Sequence, residues 1–290
     1  GDVLVKSEPE ALQWCKRYLS YLPSAFDSAP PRATPVPSPH GVDIAQIVPQ
    51  EQNTLFDIKT FINALVDQDS FLELKQRFAK ELVTGFAHLD GHPIGILANN
   101  PRQKGGVLFV DSADKAARFI NLCDAFNVPL LYLADVPGFM IGSQVERQGI
   151  IRHGAKMISA VSSATVPRVS VVVRKAYGAG LYAMCGPGFE PDACLALPQA
   201  MIAVMGPQAA VNAVYAKKIA ALPESEREAY VMQMRAQYAA DVDLIKLASE
   251  LVIDAVIKPQ DLRDELVNRF AMYRSGYTLP RVRKHGVCPV

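Results

Sequence analysis

The sequence predicts an α/β fold built around a layered, largely parallel β-sheet. Three short apolar segments, 129–134, 168–173 and 194–197, have the length and composition of buried strands. The segments between them place apolar residues every three or four positions, which indicates amphipathic helices. Strands that alternate with helices are typical of a parallel sheet whose connecting helices cover its faces.

The N-terminal part of the chain combines a helical pattern with a proline-rich stretch. Apolar residues recur at helical spacing between Glu8 and Leu22, which predicts a first helix. Five prolines between positions 30 and 39 fix φ and remove backbone hydrogen-bond donors, so we expect an extended linker that follows a surface. Two short helical patterns come next, over 55–65 and 69–78.

A β-hairpin is expected after these helices, followed by alternating elements. Strands over 82–89 and 93–98 flank Asp90-Gly91, a residue pair that favours tight hairpin turns. The later elements are predicted in this order: a helix over 112–126, a strand over 129–134, a helix over 144–161, a strand over 168–173, a short helix near 181–185, strands over 194–197 and 201–204, a helix over 207–219, a helical pair or one interrupted helix over 223–251, a strand over 255–257 and a helix over 259–273.

Composition and charge exclude several classes of partner. The formal net charge of the 290 residues is +1 and no run of five basic residues occurs, so we expect no nucleic-acid and no membrane-surface partner. No apolar run approaches the roughly 18 residues of a membrane span, and the first residues lack the pattern of a secretory signal. The five cysteines are widely spaced and odd in number, as expected for buried thiols in a reducing compartment. We therefore expect a cytoplasmic protein.

Side chains with catalytic or metal-binding spacing are scarce in the sequence. The five histidines are scattered, and neither a His-Glu-x-x-His nor a Cys-x-x-Cys motif occurs, so no metal site is expected. A Gly-x-Ser-x-Gly nucleophile motif and a Walker loop are also missing. We expect each lone histidine to be structural or exposed.

Glycine-rich segments stand where two predicted strands end. Residues 135–142 follow the strand over 129–134, and residues 176–182 follow the strand over 168–173. In an open α/β sheet, ligands bind outside the carboxyl ends of strands, and glycine lets them approach the backbone. A helix that begins at Ala179 or Gly180 would direct free N–H groups at an anion or a developing oxyanion. The alternative is that both segments are ordinary strand-to-helix turns.

Seven short segments, in order between about residue 82 and the C-terminus, carry a family resemblance. They are Asn99-Asn100-Pro101; Asp114-Lys115-Ala116-Ala117-Arg118-Phe119-Ile120; Asp135-Val136-Pro137-Gly138-Phe139; Gly149-Ile150-Ile151-Arg152-His153-Gly154-Ala155-Lys156; Ala164-Thr165-Val166-Pro167; Arg174-Lys175-Ala176-Tyr177-Gly178; and Ile202-Ala203-Val204-Met205-Gly206. In these segments the chain resembles the C-terminal domain of the carboxyltransferase (β) subunits of biotin-dependent propionyl-, acetyl- and methylcrotonyl-CoA carboxylases. The resemblance implies a crotonase-like (ClpP/crotonase) spiral of ββα units over 54–290, preceded over 1–53 by a helix and a Pro-rich interdomain linker.

The activity implied by the resemblance is transfer of CO2 from carboxybiotin to the α (or vinylogous γ) carbon of an acyl-CoA. An enolate develops on each partner, and each enolate needs a pair of N–H donors. In this family the C-terminal half supplies the pair for the biotin ureido oxygen, and the matching residues here are Ala179 and Gly180. The cofactor implied is biotin on a separate carrier protein, with an acyl-CoA as substrate. The substrate-binding residues expected around the pair are Gly178, Tyr182, Pro137, Gly138 and Phe139.

One departure from the propionyl-CoA type concerns the acyl substrate. Where that type reads Gly-Gly-Ala-Tyr-Asp, this chain reads Gly178-Ala179-Gly180-Leu181-Tyr182, a form more similar to methylcrotonyl-CoA enzymes. Tyr182 replaces the Asp tied to short-chain substrates. It either shapes an acyl pocket or packs structurally, and both interpretations stay open.

The partners implied by the resemblance are several. They include a biotin carboxyl carrier, a biotin carboxylase, and an N-terminal carboxyltransferase half supplied in cis or in trans, within a dimer-based and possibly hexameric homo-oligomer. Because the CoA-side donors belong to the N-terminal half, we expect the 290-residue chain alone to transfer little CO2.

Three other functions compete with this hypothesis. A biotin-dependent acyl-CoA decarboxylase subunit would run the related half-reaction in reverse, and a non-catalytic assembly module would only organise oligomers. An ordinary crotonase hydratase is disfavoured because Glu146 and Glu190 are isolated rather than paired at strand ends.

Overall fold

A sheet of eight strands lies at the centre of the structure, a computed structural model that describes residues 1–39 and 43–282. The strands are β1 (Leu72–Leu74), β2 (Leu82–Leu89), β3 (His92–Asn99), β4 (Leu130–Val136), β5 (Arg168–Tyr177), β6 (Ala193–Ala196), β7 (Met201–Ala203) and β8 (Ala255–Val256). They lie in the order β1-β2-β3-β4-β5-β6-β8, and β7 pairs with the carboxyl end of β5. The pairs β1–β2 and β2–β3 are antiparallel, and every pairing from β3–β4 onward is parallel. The predicted α/β class with a largely parallel sheet is confirmed.

Helices connect the strands and cover both faces of the sheet. In the described ranges they are α1 (Glu8–Leu19), α2 (Ile44–Ile47), α3 (Ile58–Leu65), α4 (Val110–Ala125), α5 (Ser143–Arg147), α6 (Ile150–Ser163), α7 (Gly178–Ala183), α8 (Pro207–Val214), α9 (Ala216–Ala221), α10 (Glu224–Asp241), α11 (Leu244–Ser249) and α12 (Leu262–Gly276). None of them is both long and apolar enough to cross a membrane.

The sheet is buried on both faces. On one face, Leu130, Tyr132 and Ala134 of β4 join a core that includes residues of α4 and α6. On the other face, Leu131 and Leu133 join a core that includes residues of α3 and α12. Because successive residues of β4 enter both cores, β4 is apolar throughout, as the uninterrupted apolar segment predicts.

The predicted hairpin is confirmed, and its second strand extends one residue beyond the predicted bounds at each end. β2 and β3 pair antiparallel, with Leu89 opposite His92, and Asp90 and Gly91 form the turn. Their φ angles are 51° and 74°, the pair of positive values that a two-residue type I′ turn requires.

The helix predicted over 69–78 is wrong, because this segment contains the edge strand β1. Leu72 and Leu74 are buried and Glu73 between them is only partly exposed, so the burial period is two rather than 3.6. Left-handed φ values at Asp69 (59°) and Lys75 (53°) interrupt the chain on both sides. Antiparallel pairing with β2 decides the conformation of a segment too short to show its period clearly.

Two predicted helices are each divided in the structure. The segment 144–161 contains α5 and α6, separated at Gly149, whose φ is 86°. The segment 207–219 contains α8 and α9, which meet at Tyr215. Over 223–251 the helical pair is found rather than one interrupted helix, as α10 and α11.

The proline-rich segment is extended and lies against the hairpin turn, as predicted. Ala33 N donates to Gly91 O at 2.8 Å, and Arg32 Nη2 pairs with Asp90 Oδ2 at 3.0 Å. The first helix ends at Leu19, three residues earlier than predicted, and Tyr21 beyond it is buried in the core. The domain boundary between residues 53 and 54 stays a prediction.

The cysteines are only in part the buried thiols expected. Cys123, Cys185 and Cys194 are buried, and burial raises the pKa of Cys185 and of Cys194 to about 12. Cys15 is exposed, because α1 turns this position to solvent. Cys288 lies outside the described residues.

Candidate active site

The carboxyl ends of β4 and β5 form the centre of the candidate site. These strands are parallel neighbours, so the segments that follow them emerge at the same edge of the sheet. The first is Pro137–Phe139 after β4, and the second is Gly178–Gly180 at the start of α7 after β5. β5 extends to Tyr177, four residues beyond the predicted strand end, so the glycine-rich segment begins directly at the helix.

The loop after β4 is fixed by backbone hydrogen bonds to residue 108. Leu108 N donates to Gly138 O at 3.0 Å, and Met140 N donates to Leu108 O at 2.8 Å. The Phe139 ring packs onto the helix α6, where a Cβ at Gly154 would lie only 3.3 Å from the ring. Phe139 therefore anchors the loop, and Pro137 and Gly138 are its half-buried surface.

The helix α7 starts abruptly at the end of β5. Tyr177 is the N-cap with φ −112° and ψ 135°, and Gly178 has a left-handed φ of 52°. The amides of Ala179 and Gly180 lie in the first turn of α7, where an α-helix offers no acceptor of its own. No loop carbonyl or side chain in the described ranges accepts a hydrogen bond from them. Ala179 is exposed and Gly180 is buried, so the pair spans the boundary between solvent and protein.

Gly180 lies directly against the loop after β4. A Cβ atom added at Gly180 would come within 2.8 Å of Val136 Cγ2 and 2.9 Å of Gly138 Cα. Only glycine allows this approach of the two backbones. A Cβ added at Gly138 would meet no atom within 4 Å, so the loop is open on that side. The structure thus places the predicted residues 137–139 and 178–180 together.

Tyr182 is directed at a neighbouring turn. Its ring meets Phe189 edge-on, with centroids 6.0 Å apart, and would lie 2.6 Å from a Cβ at Gly188. The side chain is 47% exposed. These contacts favour the packing interpretation of Tyr182, although the side chain is only partly covered by them.

A buried ion pair beneath the site was missed by the sequence analysis. Arg174 and Asp135 are both fully buried, and Arg174 Nη2 lies 2.7 Å from Asp135 Oδ2. Arg174 Nη1 also donates to Glu51 O and Thr54 O, each at 2.8 Å. The motifs Asp-Val-Pro-Gly-Phe and Arg-Lys-Ala-Tyr-Gly are therefore joined to each other and to residues 51–54.

Lys175 extends the same network. Its backbone N donates to Asp135 Oδ1 at 3.2 Å, and its Nζ donates to Gln52 O at 2.9 Å. Burial lowers the pKa of Lys175, and the nearby Asp135 carboxylate opposes this effect only in part. The sequence does show charged residues near the ends of two apolar strands. It does not show that these two strands are neighbours, so the ion pair could not be predicted.

His153 has a structural partner, as expected for the isolated histidines. Its Nδ1 lies 2.8 Å from both oxygens of Asp114, and Lys156 Nζ donates to Asp114 at 2.9 Å. Burial, the largest single influence on Asp114, raises its pKa, but the hydrogen bonds and charges of His153 and Lys156 together lower it. Within the described part of the chain, no group of three His, Cys, Asp or Glu side chains is placed to hold a metal ion.

Comparison with known proteins decides the family. The sequence profile described as the carboxyl transferase domain matches residues 1–288. The chain belongs to this family.

Three similar proteins show which members of the carboxyl transferase family resemble this chain. YngE of Bacillus subtilis (strain 168), described as an uncharacterized carboxylase, is 58% identical over 291 residues, which cover 100% of this chain and 57% of YngE. The propionyl-CoA carboxylase carboxyltransferase subunit of Haloferax mediterranei is 40% identical over 288 residues, covering 98% of this chain and 55% of that subunit. The crystal structure of transcarboxylase 12S with methylmalonyl-coenzyme A and methylmalonic acid bound has a TM-score of 0.88 and 37% identity, covering 100% of this chain and 56% of that chain.

These likenesses confirm the predicted family and the crotonase-like carboxyltransferase fold. The chain spans about half the length of the curated relatives it matches. The roles of Ala179, Gly180 and the surrounding residues stay predictions.

Proposed function

We propose that this chain forms the biotin-side half of a carboxyltransferase active site, which moves CO2 from carboxybiotin to an acyl-CoA. The observation that carries the proposal is the contact of Gly180 with Gly138, at the adjoining carboxyl ends of β4 and β5, in a chain of the carboxyl transferase family. This contact places the amides of Ala179 and Gly180 beside an open loop at the sheet edge where α/β proteins bind ligands.

The residues present fit a biotin ureido group. When bound, biotin supplies the carboxyl group and an oxygen that gains negative charge as CO2 leaves. The amides of Ala179 and Gly180 would donate to that oxygen, and because they belong to a fixed backbone they need no reorganisation as the charge develops. Each such donor lowers the barrier by roughly 3 kcal/mol by analogy with other oxyanion holes.

The remaining predicted site residues shape this surface. Gly178 reverses the chain direction at φ 52° so that α7 can begin at the strand end. Pro137 and Gly138 form the opposite wall. Phe139 anchors that wall by packing its ring onto α6. Tyr182 packs α7 against the turn 187–189 through Phe189, and its exposed part would contact the acyl group.

The complete reaction requires partners that the family relationship suggests. They are a biotin carboxyl carrier, a biotin carboxylase and an N-terminal carboxyltransferase half, assembled in a homo-oligomer as the 12S transcarboxylase hexamer is. A cytoplasmic location belongs to the same proposal.

The substitution Ala179→Pro tests the proposed donors. Proline removes the N–H of residue 179 but is tolerated in the first turn of a helix, so α7 should persist. In an assembly that includes the N-terminal half, we expect kcat for transfer from carboxybiotin to fall roughly 100- to 1000-fold. Ala179→Ser keeps the N–H and should retain most of the activity.

The same assay distinguishes the alternatives. If the chain were only an assembly module, A179P would assemble and transfer CO2 as the unsubstituted chain does. That result would end the oxyanion proposal. The 290-residue chain assayed without an N-terminal half should show little transfer in either case.

A further inference from the structure

A polar cleft at the carboxyl end of β3 is not used by the proposed transfer reaction. Its volume is about 350 Å³, and it is lined by residues from three segments, 57–59, 73–80 and 100–103. This volume is roughly ten times that of a water molecule in the liquid. The carboxyl end of β3 lies at the same sheet edge as those of β4 and β5, where ligands of α/β proteins bind.

The charges that line the cleft are mostly positive. Four cations, Lys59, Arg77, Lys80 and Arg102, face two carboxylates, Asp57 and Glu73, which leaves a net charge of 4 − 2 = +2. Lys59 pairs with Glu73 at 3.3 Å and Arg102 pairs with Asp57 at 3.8 Å. Arg77 and Lys80 form no ion pair within residues 1–39 and 43–282 and are exposed to the cleft. The cleft therefore offers two uncompensated cations to an anion.

A buried amide adds a neutral donor. Asn100 is only 4% exposed and lines the cleft. Its Oδ1 accepts a hydrogen bond from Arg102 N at 3.3 Å, whereas its Nδ2 donates to no acceptor in the described part of the chain. The residue as a whole is buried, but its Nδ2 atom is not among the fully buried unpaired atoms and so reaches the surface of the cleft, where it can donate to a ligand oxygen.

The wall that carries Arg77 and Lys80 is held rigidly from inside. Lys115 is 2% exposed, and its Nζ donates to four backbone oxygens, those of Lys75, Phe78, Ala79 and Leu82, at 2.6–3.3 Å. The side chains of Gln76, Arg77 and Lys80 in the same segment are exposed. Asn100 lines the cleft, and Lys115 therefore lies behind the wall that carries Arg77 and Lys80.

We propose that this cleft binds a small, polar organic phosphate. Arginine and lysine beside an amide donor suit phosphate oxygens, and the lining residues are polar or charged throughout, which disfavours an apolar ligand. The phosphate group could belong to a nucleotide or to a non-nucleotide ester, and the two sources share the same contacts. The proposal does not depend on carboxyl transfer.

Calorimetric titration of the 290-residue chain at low ionic strength tests the site, with inorganic phosphate, pyrophosphate and ADP as probes. We expect pyrophosphate to bind more tightly than phosphate, since two phosphate groups can meet two cations. Tighter binding of ADP than of pyrophosphate would indicate a nucleotide, and the reverse order a non-nucleotide ester. The double variant R77Q/K80Q should weaken pyrophosphate binding by about tenfold or more.

Two further variants make the result specific. Asn100→Asp replaces the amide donor by a carboxylate of the same shape and should also weaken binding by about tenfold. The control R118Q/K217Q removes the same charges from exposed positions on α4 and α9 and should bind as the unsubstituted chain does. No heat with any of the probes at millimolar concentration, or equal weakening by the control, would overturn the proposal. Circular dichroism of each variant confirms that the fold is retained.

Discussion

Asp135 and Arg174 show how single residues hold the candidate site together. Each lies near the carboxyl end of an apolar strand, and neither side chain is accessible to bulk solvent. A buried ion pair contributes little compared with an apolar pair of the same volume, but removing one partner leaves an uncompensated charge. The pair therefore fixes the relative position of β4 and β5 at the edge where the site lies.

We expect Arg174→Met to destabilise the chain by about 3–5 kcal/mol, because the buried Asp135 carboxylate loses its close guanidinium partner and keeps only Lys175, whose Nζ lies 3.6 Å away. The double variant D135N/R174M should cost less than the sum of the two single variants, by about 1–3 kcal/mol. Urea unfolding of the four proteins measures this cycle. Additive costs would show that the two residues act independently.

Lys115 is the second residue whose burial has a measurable consequence. Replacement by Met removes the donor shared by four carbonyls, and we expect a loss of about 3 kcal/mol in the free energy of unfolding at neutral pH. Arg118→Met, an exposed substitution on the same helix, should change stability by less than about 0.5 kcal/mol. Equal effects of the two variants would contradict the proposed role of Lys115.

The pH dependence of stability gives an independent check on Lys115. Burial lowers its pKa from 10.5 to about 8, and the nearby carboxylates oppose this only in part. Between about pH 8 and 10.5 the unfolded chain holds the proton that the folded chain has released, so Lys115 contributes a rise with pH to the free energy of unfolding, whereas the buried thiols of Cys185 and Cys194 contribute a fall. The Lys115→Met variant should lack that rise. The difference between the unsubstituted chain and the variant isolates the contribution of Lys115.

At the scale of elements, the sequence predicts secondary structure well where an apolar pattern is clear or where a specific turn motif occurs. The strand β4 and the hairpin at Asp90-Gly91 are predicted closely, because an uninterrupted apolar run and a two-residue turn pair are local signals. The strand β1 is not predicted. A strand of three residues is too short to reveal its period in the sequence, and its conformation depends on pairing with β2. The break at Gly149 is likewise missed, because the amphipathic pattern continues across it.

The candidate site is likewise predictable where its signals are local and unpredictable where they depend on long-range contacts. The glycines at 178 and 180 are visible in the sequence because they follow a strand, and the structure places Gly180 against Gly138. The ion pair of Asp135 with Arg174 joins residues 39 positions apart, and the cleft at Asn100 draws on three separate segments. Such contacts exist only once the sheet order is known.

At the scale of the whole molecule, the sheet edge carries two distinct surfaces. The proposed biotin-side donors lie after β5, and the polar cleft lies after β3, with β4 between them. Since the chain spans about half the length of its curated relatives, we propose that the acyl-CoA side of the reaction is completed by an N-terminal carboxyltransferase half. On this proposal, the 290-residue chain itself orients the ureido oxygen through fixed backbone amides.

The most direct test is a crystal structure of an assembly that contains this chain and an N-terminal half, determined with biotin bound. Our account predicts that the ureido oxygen lies about 2.7–3.1 Å from the amide nitrogens of Ala179 and Gly180. Biotin bound at another surface, or these two amides donating to carbonyls of the protein itself, would contradict it.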